Sequence, residues 1–578
     1  MPKLIKLFDT KQKKTLIGLL VLITIASILE MTSLAIIVPI INSFLEIETN
    51  PKENSLIWIS KIIQIDDFSI SSFLILFIFF FSVKTLFSIF VSRKHQNFIY
   101  DYVGKISYNL FSKYLSQDYK KYSLKNSSEL MRNILKEIDL FSIYLQSFMH
   151  IILESIILFG IIIFLLYLLT IPTVIVIIFS FIIFLIYYFI VKKNLFEWGK
   201  DRQSIERDRI TYMQESFSSI KEINFFNRND FFLNRFYKKN KKFYEITSNF
   251  YFLSSIPRYI FELFTIIIIF IVFSYLVIIG SPNENILKTI AIFLAASFRI
   301  IPSVYRLFNS TQSLKYTSSS FNILYEDYKS LKFKEEINKS SNLVFKDKIN
   351  LQINNFSHTD ESNFKIKNIS LEIKKNQKIG IIGKSGSGKS SLIDILTGII
   401  IENQCINLQV DKKLIKTEID RHNWQKKIGL IPQNISILNS SLKENILFGL
   451  DEARYTDKEI LNILSVSNLS LLVNRLPNGL NYQIKEKGTN FSGGEIQRIG
   501  IARALIINPD ILIFDEATSA LDTFTENEIL KDINLLKNKT IIMISHRMNT
   551  LKYCDKIYLM DKGEIIDSGS YDKFNEKY

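Results

Sequence analysis

Cysteine is nearly absent: the 578 residues hold two, Cys405 and Cys554, both in the polar C-terminal half, so no disulfide framework supports this fold. Long apolar runs are missing after about residue 310, and the remainder reads as soluble α/β sequence. No small-residue cleavage site follows the first apolar stretch, which is also too long for a removable signal peptide. Disorder is excluded by a hydrophobic fraction of 48% and a positive mean hydropathy. A single small core is excluded by length, since roughly 150 residues per domain is usual.

Acids are outnumbered, 56 Asp and Glu against 71 Lys and Arg, for a formal charge of +15. A chain both basic and apolar argues against a nucleic-acid partner. It suits a membrane with an anionic cytoplasmic face, where positive residues collect in the loops beside apolar spans. Six runs of about 20 or more mostly apolar residues can each cross a bilayer: Leu16 to Leu45, Ile70 to Val91, Phe148 to Leu169, Val174 to Val191, Tyr259 to Gly280 and Ile286 to Leu307. The segments before Leu16, between Val91 and Phe148, and between Val191 and Tyr259 are rich in Lys and Arg. The loop after Leu45 instead carries Glu46, Glu48, Glu53, Asp66 and Asp67 against Lys52 and Lys61. Both termini are therefore expected in the cytoplasm, with the chain in an inner membrane.

The two long cytoplasmic segments lack Gly or Pro clusters and have helical patterning at Leu110 to Leu140 and Arg202 to Phe236. They read as membrane helices continued into the cytoplasm, about 20 residues adding roughly 30 Å to each. Ordinary amphipathic loops are the alternative. The expected domains are a membrane domain over 1–330, a polar linker over 331–350 and a soluble domain over 351–578.

In the soluble part the strand Lys378 to Ile382 leads into Gly383-Lys384-Ser385-Gly386-Ser387-Gly388-Lys389-Ser390-Ser391 and then a helix, which places G-x-x-x-x-G-K-[ST] in its required context. Small residues let backbone N–H groups wrap phosphates, Lys389 neutralises the terminal phosphates, and the Ser390 hydroxyl can ligate Mg²⁺. The apolar strand Ile511 to Phe514 ends in Asp515-Glu516. Asp515 is positioned to hold Mg²⁺ and Glu516 to polarise an attacking water. Between them, Phe491-Ser492-Gly493-Gly494-Glu495 opens a helix whose N-terminus is an anion site.

At these residues the sequence resembles the ATP-binding cassette family, whose signature reads Leu-Ser-Gly-Gly-Gln. Phe491 and Glu495 depart from it, and Glu495 brings a carboxylate near phosphates. The resemblance implies an α/β P-loop ATPase domain fused to six transmembrane helices of exporter type, with ATP and Mg²⁺ as cofactors. It implies that Gln433 in Ile431-Pro432-Gln433-Asn434 senses Mg²⁺, that Glu486-Lys487-Gly488 touches coupling helices, that Ser519 to Asp522 forms the D-loop, and that His546 contacts the γ-phosphate. Where the family stacks an aromatic residue, usually Tyr, on adenine, this sequence has His358, in a stacking role or as a surface residue. Each motif occurs once. In the family the signature of one cassette (Ser492 and Gly494 here) closes over the phosphate loop of another, so a homodimer with two composite sites is implied, with coupling helices near Gln117 to Leu124 and Glu215 to Ile223.

The membrane half further resembles exporters of the lipid-linked oligosaccharide flippase type, in Leu29-Glu30 and Pro39, Asn126 to Ile134, Ile220 to Ile223, Pro257-Arg258 with Glu262, and Ala295 to Pro302. Related surface-polysaccharide exporters share some of these. Lys84, Arg299, Arg306 and Arg258 lie in or beside apolar spans, where a cation costs roughly 2.5 to 3.5 kcal/mol on insertion scales. Two readings stand. In one the four line a cavity that takes a pyrophosphate headgroup. In the other Arg258 and Arg306 reach to the inner interface while Lys84 and Arg299 pair with Glu30, Glu154 or Glu262. The outer-loop segment Asn54 to Gln64 suits a short interfacial helix, either engaging a lipid tail or inert. The expected function is ATP-driven flipping of a lipid-linked oligosaccharide or related phospho-lipid. The alternatives are a lipid A-type, multidrug or peptide exporter, and, from another class, an ATP-gated channel or regulatory membrane protein.

Overall fold

The computed structural model describes residues 2–35, 70–119, 122, 125–168, 170–331, 343–357, 365–400, 405–485, 488–518, 523–536 and 538–575. His358, Pro39, Glu486 and Lys487, the Ser519 to Asp522 loop and the Asn54 to Gln64 segment lie outside the described residues. The chain divides into two compact units, Met1–Gln117 with Leu124–Lys334, and Asp118–Ser123 with Glu335–Tyr578.

The first unit is helical. Its long helices are α1 (Thr10–Ala35), α2 (Ile70–Leu115), α3 (Ile138–Leu168), α4 (Thr170–Ser218), α5 (Asn229–Ile278) and α6 (Asn283–Tyr316), followed by α7 (Ser318–Ser330). Each expected span overlaps one of α1 to α6. Among the described residues, four segments are long and apolar enough to cross a membrane: Thr10–Glu30, Ser127–Tyr167, Asn229–Ile278 and Ile286–Tyr316. At 46, 49 and 50 residues, α2, α4 and α5 each run about 70 Å or more, well beyond a hydrocarbon core of about 30 Å. Basic segments beside these spans therefore continue them as unbroken helix. At the connection between α4 and α5 sits a short helix, Ile220–Phe225, where one coupling element was expected.

Large apolar side chains point outward from this unit, including Phe79, Phe159, Ile266 and Phe298. In water such a surface would drive aggregation, whereas lipid solvates it at no cost. Hydroxyls inside the apolar stretches bond to their own helix. Ser27 donates to the Ile23 carbonyl at 2.9 Å and Ser297 to the Phe293 carbonyl at 2.7 Å, so neither presents an unpaired group to lipid. Near the other end of the bundle a turn of π-helix, Asn133–Glu137, precedes α3. It buries Glu137 between Arg132 and Arg202, and Arg202 also donates to Ser320 Oγ of α7 at 3.1 Å. A carboxylate this deep is tolerated because two guanidinium groups surround it.

The second unit contains two sheets. The strands β1 (Lys348–Phe356), β2 (Ile366–Lys374), β4 (Ile406–Val410) and β5 (Lys413–Leu414) form an antiparallel sheet in the order β2-β1-β4-β5. The larger sheet runs β10-β9-β3-β8-β7-β6, from β3 (Lys378–Ile382), β6 (Ile428–Ile431), β7 (Ile511–Asp515), β8 (Thr540–Ser545), β9 (Lys556–Asp561) and β10 (Glu564–Gly569). Only its β9-β10 pair is antiparallel. The strands β3, β7 and β8 are covered on both faces, which is why they read as unbroken apolar runs rather than alternating ones. Helix α8 (Lys389–Leu396) follows β3. Its C-terminal carbonyl at Leu396 accepts a hydrogen bond of 2.8 Å from the indole of the fully buried Trp424. A smaller helical core around Leu442, Ile446, Ile460, Leu464 and Ile499 carries α9 (Gly493–Leu505). Residues 118–123 group with this unit, where Arg421 Nη1 lies 3.2 Å from Asp118 Oδ1.

Candidate functional site

Strand register assembles the phosphate site. Ile382 at the end of β3 pairs with Ser545 at the end of β8, and Asp515 at the end of β7 pairs with Ile544. The carboxyl ends of three neighbouring parallel strands therefore meet, which is where open α/β sheets bind ligands. From those ends emerge the loop Gly383 to Lys389, the Asp515-Glu516 pair and His546.

The loop geometry accounts for its glycines. Gly388 has φ +104° as the N-cap of α8, a conformation that L side chains resist. At Gly383 a Cβ would sit 2.2 Å from the Met560 carbonyl oxygen, so any side chain would force the loop off β9. Lys389 is buried and its ammonium donates to the carbonyls of Gly383 at 2.8 Å and Lys384 at 3.0 Å, folding the side chain across the loop. Ser385, Gly386, Ser390 and Ser391 lie in the same loop and helix start, with Ser385 and Ser390 exposed and Ser387 buried.

Glu516 is the hub. Gln433 Nε2 donates to its Oε2 at 2.9 Å, His546 Nδ1 lies 3.8 Å from Oε2, and Lys389 Nζ lies 3.9 Å from Oε1. Its backbone has φ +48°, unusual for a glutamate, and its N–H is anchored to the Ile544 carbonyl at 3.1 Å. Strain held by the sheet thus sets the direction of this carboxylate. Glu516, Gln433, His546, Lys389 and Asp515 come together around one point. Ser492 and Gly494 sit elsewhere, at the N-terminus of α9. There Ser492 Oγ and N–H both donate to Glu495 Oε2, at 2.9 and 2.7 Å, and Glu495 N–H donates back to Ser492 Oγ at 3.2 Å. Glu495, the departure from the signature, is thus the N3 residue of a capping box and supports the helix start.

Asp515 is pushed up to about 6, first by burial and then by the neighbouring charges of Glu516 and Asp394, with Lys389 opposing. Such a concentration of carboxylates is one that a divalent cation offsets. Ser390, Asp515 and the Gln433 amide supply hard oxygen donors, so these residues fit Mg²⁺. Among the described residues no three His, Cys, Asp or Glu side chains form a metal cage.

Sequence reasoning missed Glu526. It is buried, accepts from Thr518 Oγ1 and Thr550 Oγ1 at 2.8 Å each, and has Arg547 Nη1 at 3.5 Å. It ties the segment after Glu516 to the one after His546. A glutamate in the first turn of a polar helix, Thr523–Leu535, gives no sign of burial in the sequence.

In the membrane unit all four singled-out cations meet carboxylates. Lys84 Nζ lies 3.1 Å from Glu30 Oε1 and Arg299 pairs with Glu30 Oε2, so α2 and α6 converge on one acid of α1. Arg306 pairs with Glu154, joining α6 to α3. Arg258 pairs with Glu262 at 2.9 Å, one turn along the exposed face of α5.

Residues 366–519 match the ABC transporter family, and residues 16–300 match the ABC transporter transmembrane region. The chain thus belongs to the ABC transporter family, with a helical membrane domain fused to an ATPase domain. It is similar to an export ATP-binding/permease protein of Rickettsia typhi, 38% identical over 232 residues that make up 39% of each chain. It is also similar to a multidrug resistance ABC transporter ATP-binding and permease protein of Lactococcus lactis, 35% identical over 215 residues, 37% of this chain and 36% of the relative. These matches span about two-fifths of the length of the curated relatives. A bacterial Atm1-family ABC exporter with ATP bound shares the fold, with a TM-score of 0.81 at 17% identity over 98% of this chain and 97% of that one.

Proposed function

We propose that the protein is an ATP-driven exporter that works as a homodimer in a bacterial inner membrane, with both termini and the ATPase domain cytoplasmic. In this reading ATP lies on the loop Gly383 to Ser391 of one copy and is closed by Ser492 and Gly494 of the other. Mg²⁺ bound by Ser390, Asp515 and Gln433 would offset phosphate charge. Glu516 polarises the attacking water and His546 contacts the γ-phosphate. The observation that carries the ATPase reading is the convergence of Lys389, Gln433 and His546 on Glu516 at the carboxyl ends of β3, β7 and β8.

For the cargo we propose a phospho- or pyrophosphate-linked lipid, a lipid-linked oligosaccharide, moved from the inner to the outer leaflet. Support comes from Lys84 and Arg299, which share the Glu30 carboxylate, so that the three side chains together carry a net positive charge in an apolar setting. A second reading, export of neutral amphiphiles, is favoured by the acid partner that each of the four cations has, and by the multidrug name of the Lactococcus relative. Leaflet-resolved flipping in proteoliposomes loaded with a lipid-linked oligosaccharide separates them. Glu516→Gln should abolish movement, and retained flipping would refute active transport. Arg299→Ala should slow the anionic cargo, and full activity would leave only the second reading.

A further inference from the structure

Five histidines occur in the chain, and the two that precede residue 331, His95 and His150, come together in the helical unit. His95 lies on α2, four residues past the apolar run that ends at Val91, and His150 lies on α3 near the start of its apolar run. The two helices share an apolar core that includes Ile99, Tyr102, Leu145, Phe148 and Met149. A histidine in such a setting normally satisfies both of its ring nitrogens. Here one nitrogen on each ring, His95 Nε2 and His150 Nδ1, is buried with no hydrogen-bond partner. Two orphans on neighbouring rings are costly, and an ion held between them would remove the cost.

The ring geometry suits an ion. The centroids are 5.5 Å apart and the planes meet at 72°. Two imidazoles on one tetrahedral Zn²⁺, each with its nitrogen about 2.0 to 2.1 Å from the metal, place their ring centres roughly 5 to 5.5 Å apart. The packed helices therefore hold the rings at the spacing a shared metal requires. An ordinary edge-to-face contact would account for the angle and the spacing, but not for an unpartnered nitrogen on each ring. Neutral imidazole is the commonest metal ligand among side chains, and it suits Zn²⁺, Cu²⁺ and Ni²⁺, whereas Mg²⁺ takes oxygen donors. Glu154, one turn beyond His150 on α3, is held by Arg306 and stays outside the ligand set, which leaves the remaining positions to water.

We propose that His95 Nε2 and His150 Nδ1 together bind one divalent transition-metal ion of the Zn²⁺ class, bridging α2 and α3. The site is separate from the Mg²⁺ position of the ATPase unit and stands without the ATPase reading. Neither histidine belongs to a motif in the sequence, because the pair forms only when two long helices pack in one register.

The test uses the purified, tag-free, full-length protein without nucleotide, titrated with Co²⁺ in the presence of millimolar Mg²⁺ and followed by the visible absorption of bound Co²⁺. One Co²⁺ per chain is expected, displaced by Zn²⁺. His95→Gln and His150→Gln should each weaken binding by at least about tenfold, since loss of even an outer partner of a metal ligand costs that much. Zn²⁺ at about a hundred times its dissociation constant should raise the melting temperature of the wild type on the order of 5 °C, and that of neither variant. Wild-type protein with no Co²⁺ absorption and no Zn²⁺-dependent shift would overturn the proposal, and this result does not depend on whether the variants fold. Unchanged Co²⁺ binding in the double variant His95→Gln/His150→Gln, or displacement of Co²⁺ by Mg²⁺, would overturn it as well, placing the ion elsewhere.

Discussion

Replacing Glu30 with leucine removes the carboxylate on which Lys84 and Arg299 converge, and should destabilise the helical unit. The two cations have side-chain exposures of 12% and 23%, so water reaches them poorly. At 3.1 Å the Lys84 pair is worth roughly 5 kcal/mol of gross attraction at an effective dielectric near 20, most of it spent against desolvation. Without Glu30 these two ion pairs are lost while most of the desolvation cost stays, and breaking such a buried pair typically costs about 3 to 5 kcal/mol. The apparent melting temperature of the detergent-solubilised protein should fall on the order of 5 °C or more. The triple variant Glu30→Leu/Lys84→Met/Arg299→Met should recover most of that loss, because two methionines leave no charge to solvate. If the triple variant is no more stable than Glu30→Leu alone, the ion triad does not form and the reasoning fails.

Further predictions concern the ATPase unit. Glu516→Gln should lower ATP hydrolysis by about a hundredfold or more while nucleotide binding persists; a loss of binding to match would assign Glu516 a binding role instead. Gly383→Ala should abolish nucleotide binding through displacement of the loop from β9, seen as loss of nucleotide-dependent protection from proteolysis. Asn445 is fully buried and exchanges hydrogen bonds with the Leu438 backbone at 2.8 and 2.9 Å, so Asn445→Ala should destabilise the unit by about 2 kcal/mol, measured by denaturant unfolding. The Cys554 thiol is buried and pushed up to about 12, chiefly by that burial, so at pH 8 almost none is thiolate. Maleimide should therefore label the half-buried Cys405 first and reach Cys554 only on unfolding.

Much of the ATPase fold is legible in the sequence because its signals are local. The strands β3, β7 and β8 are continuous apolar runs, and the phosphate loop announces itself by glycine spacing between a strand and a helix. The six long helices are legible for the same reason, since a run of apolar residues fixes a span without reference to its neighbours. What escapes depends on register between distant segments. That Glu30 serves both Lys84 and Arg299 requires the relative depth of α1, α2 and α6, which no single segment encodes. Glu526 becomes a buried tie only because its helix packs against the segment carrying Thr550. The strained backbone of Glu516 is imposed by β8 through Ile544, and an isolated Asp-Glu pair gives no hint of it. The role of Glu495 is hidden differently. Its sequence position suggests a charge near phosphates, whereas the local capping box shows it first serving the helix that carries Ser492.

Two cations sharing one acid also have an electrical consequence. The triad carries a net charge of one elementary unit, and a charge that crosses the full membrane field at about 100 mV exchanges about 2.3 kcal/mol with it. Any rearrangement of α1, α2 and α6 that shifts this triad along the bilayer normal therefore moves charge. The membrane potential would then favour one position of these helices over another, independently of nucleotide.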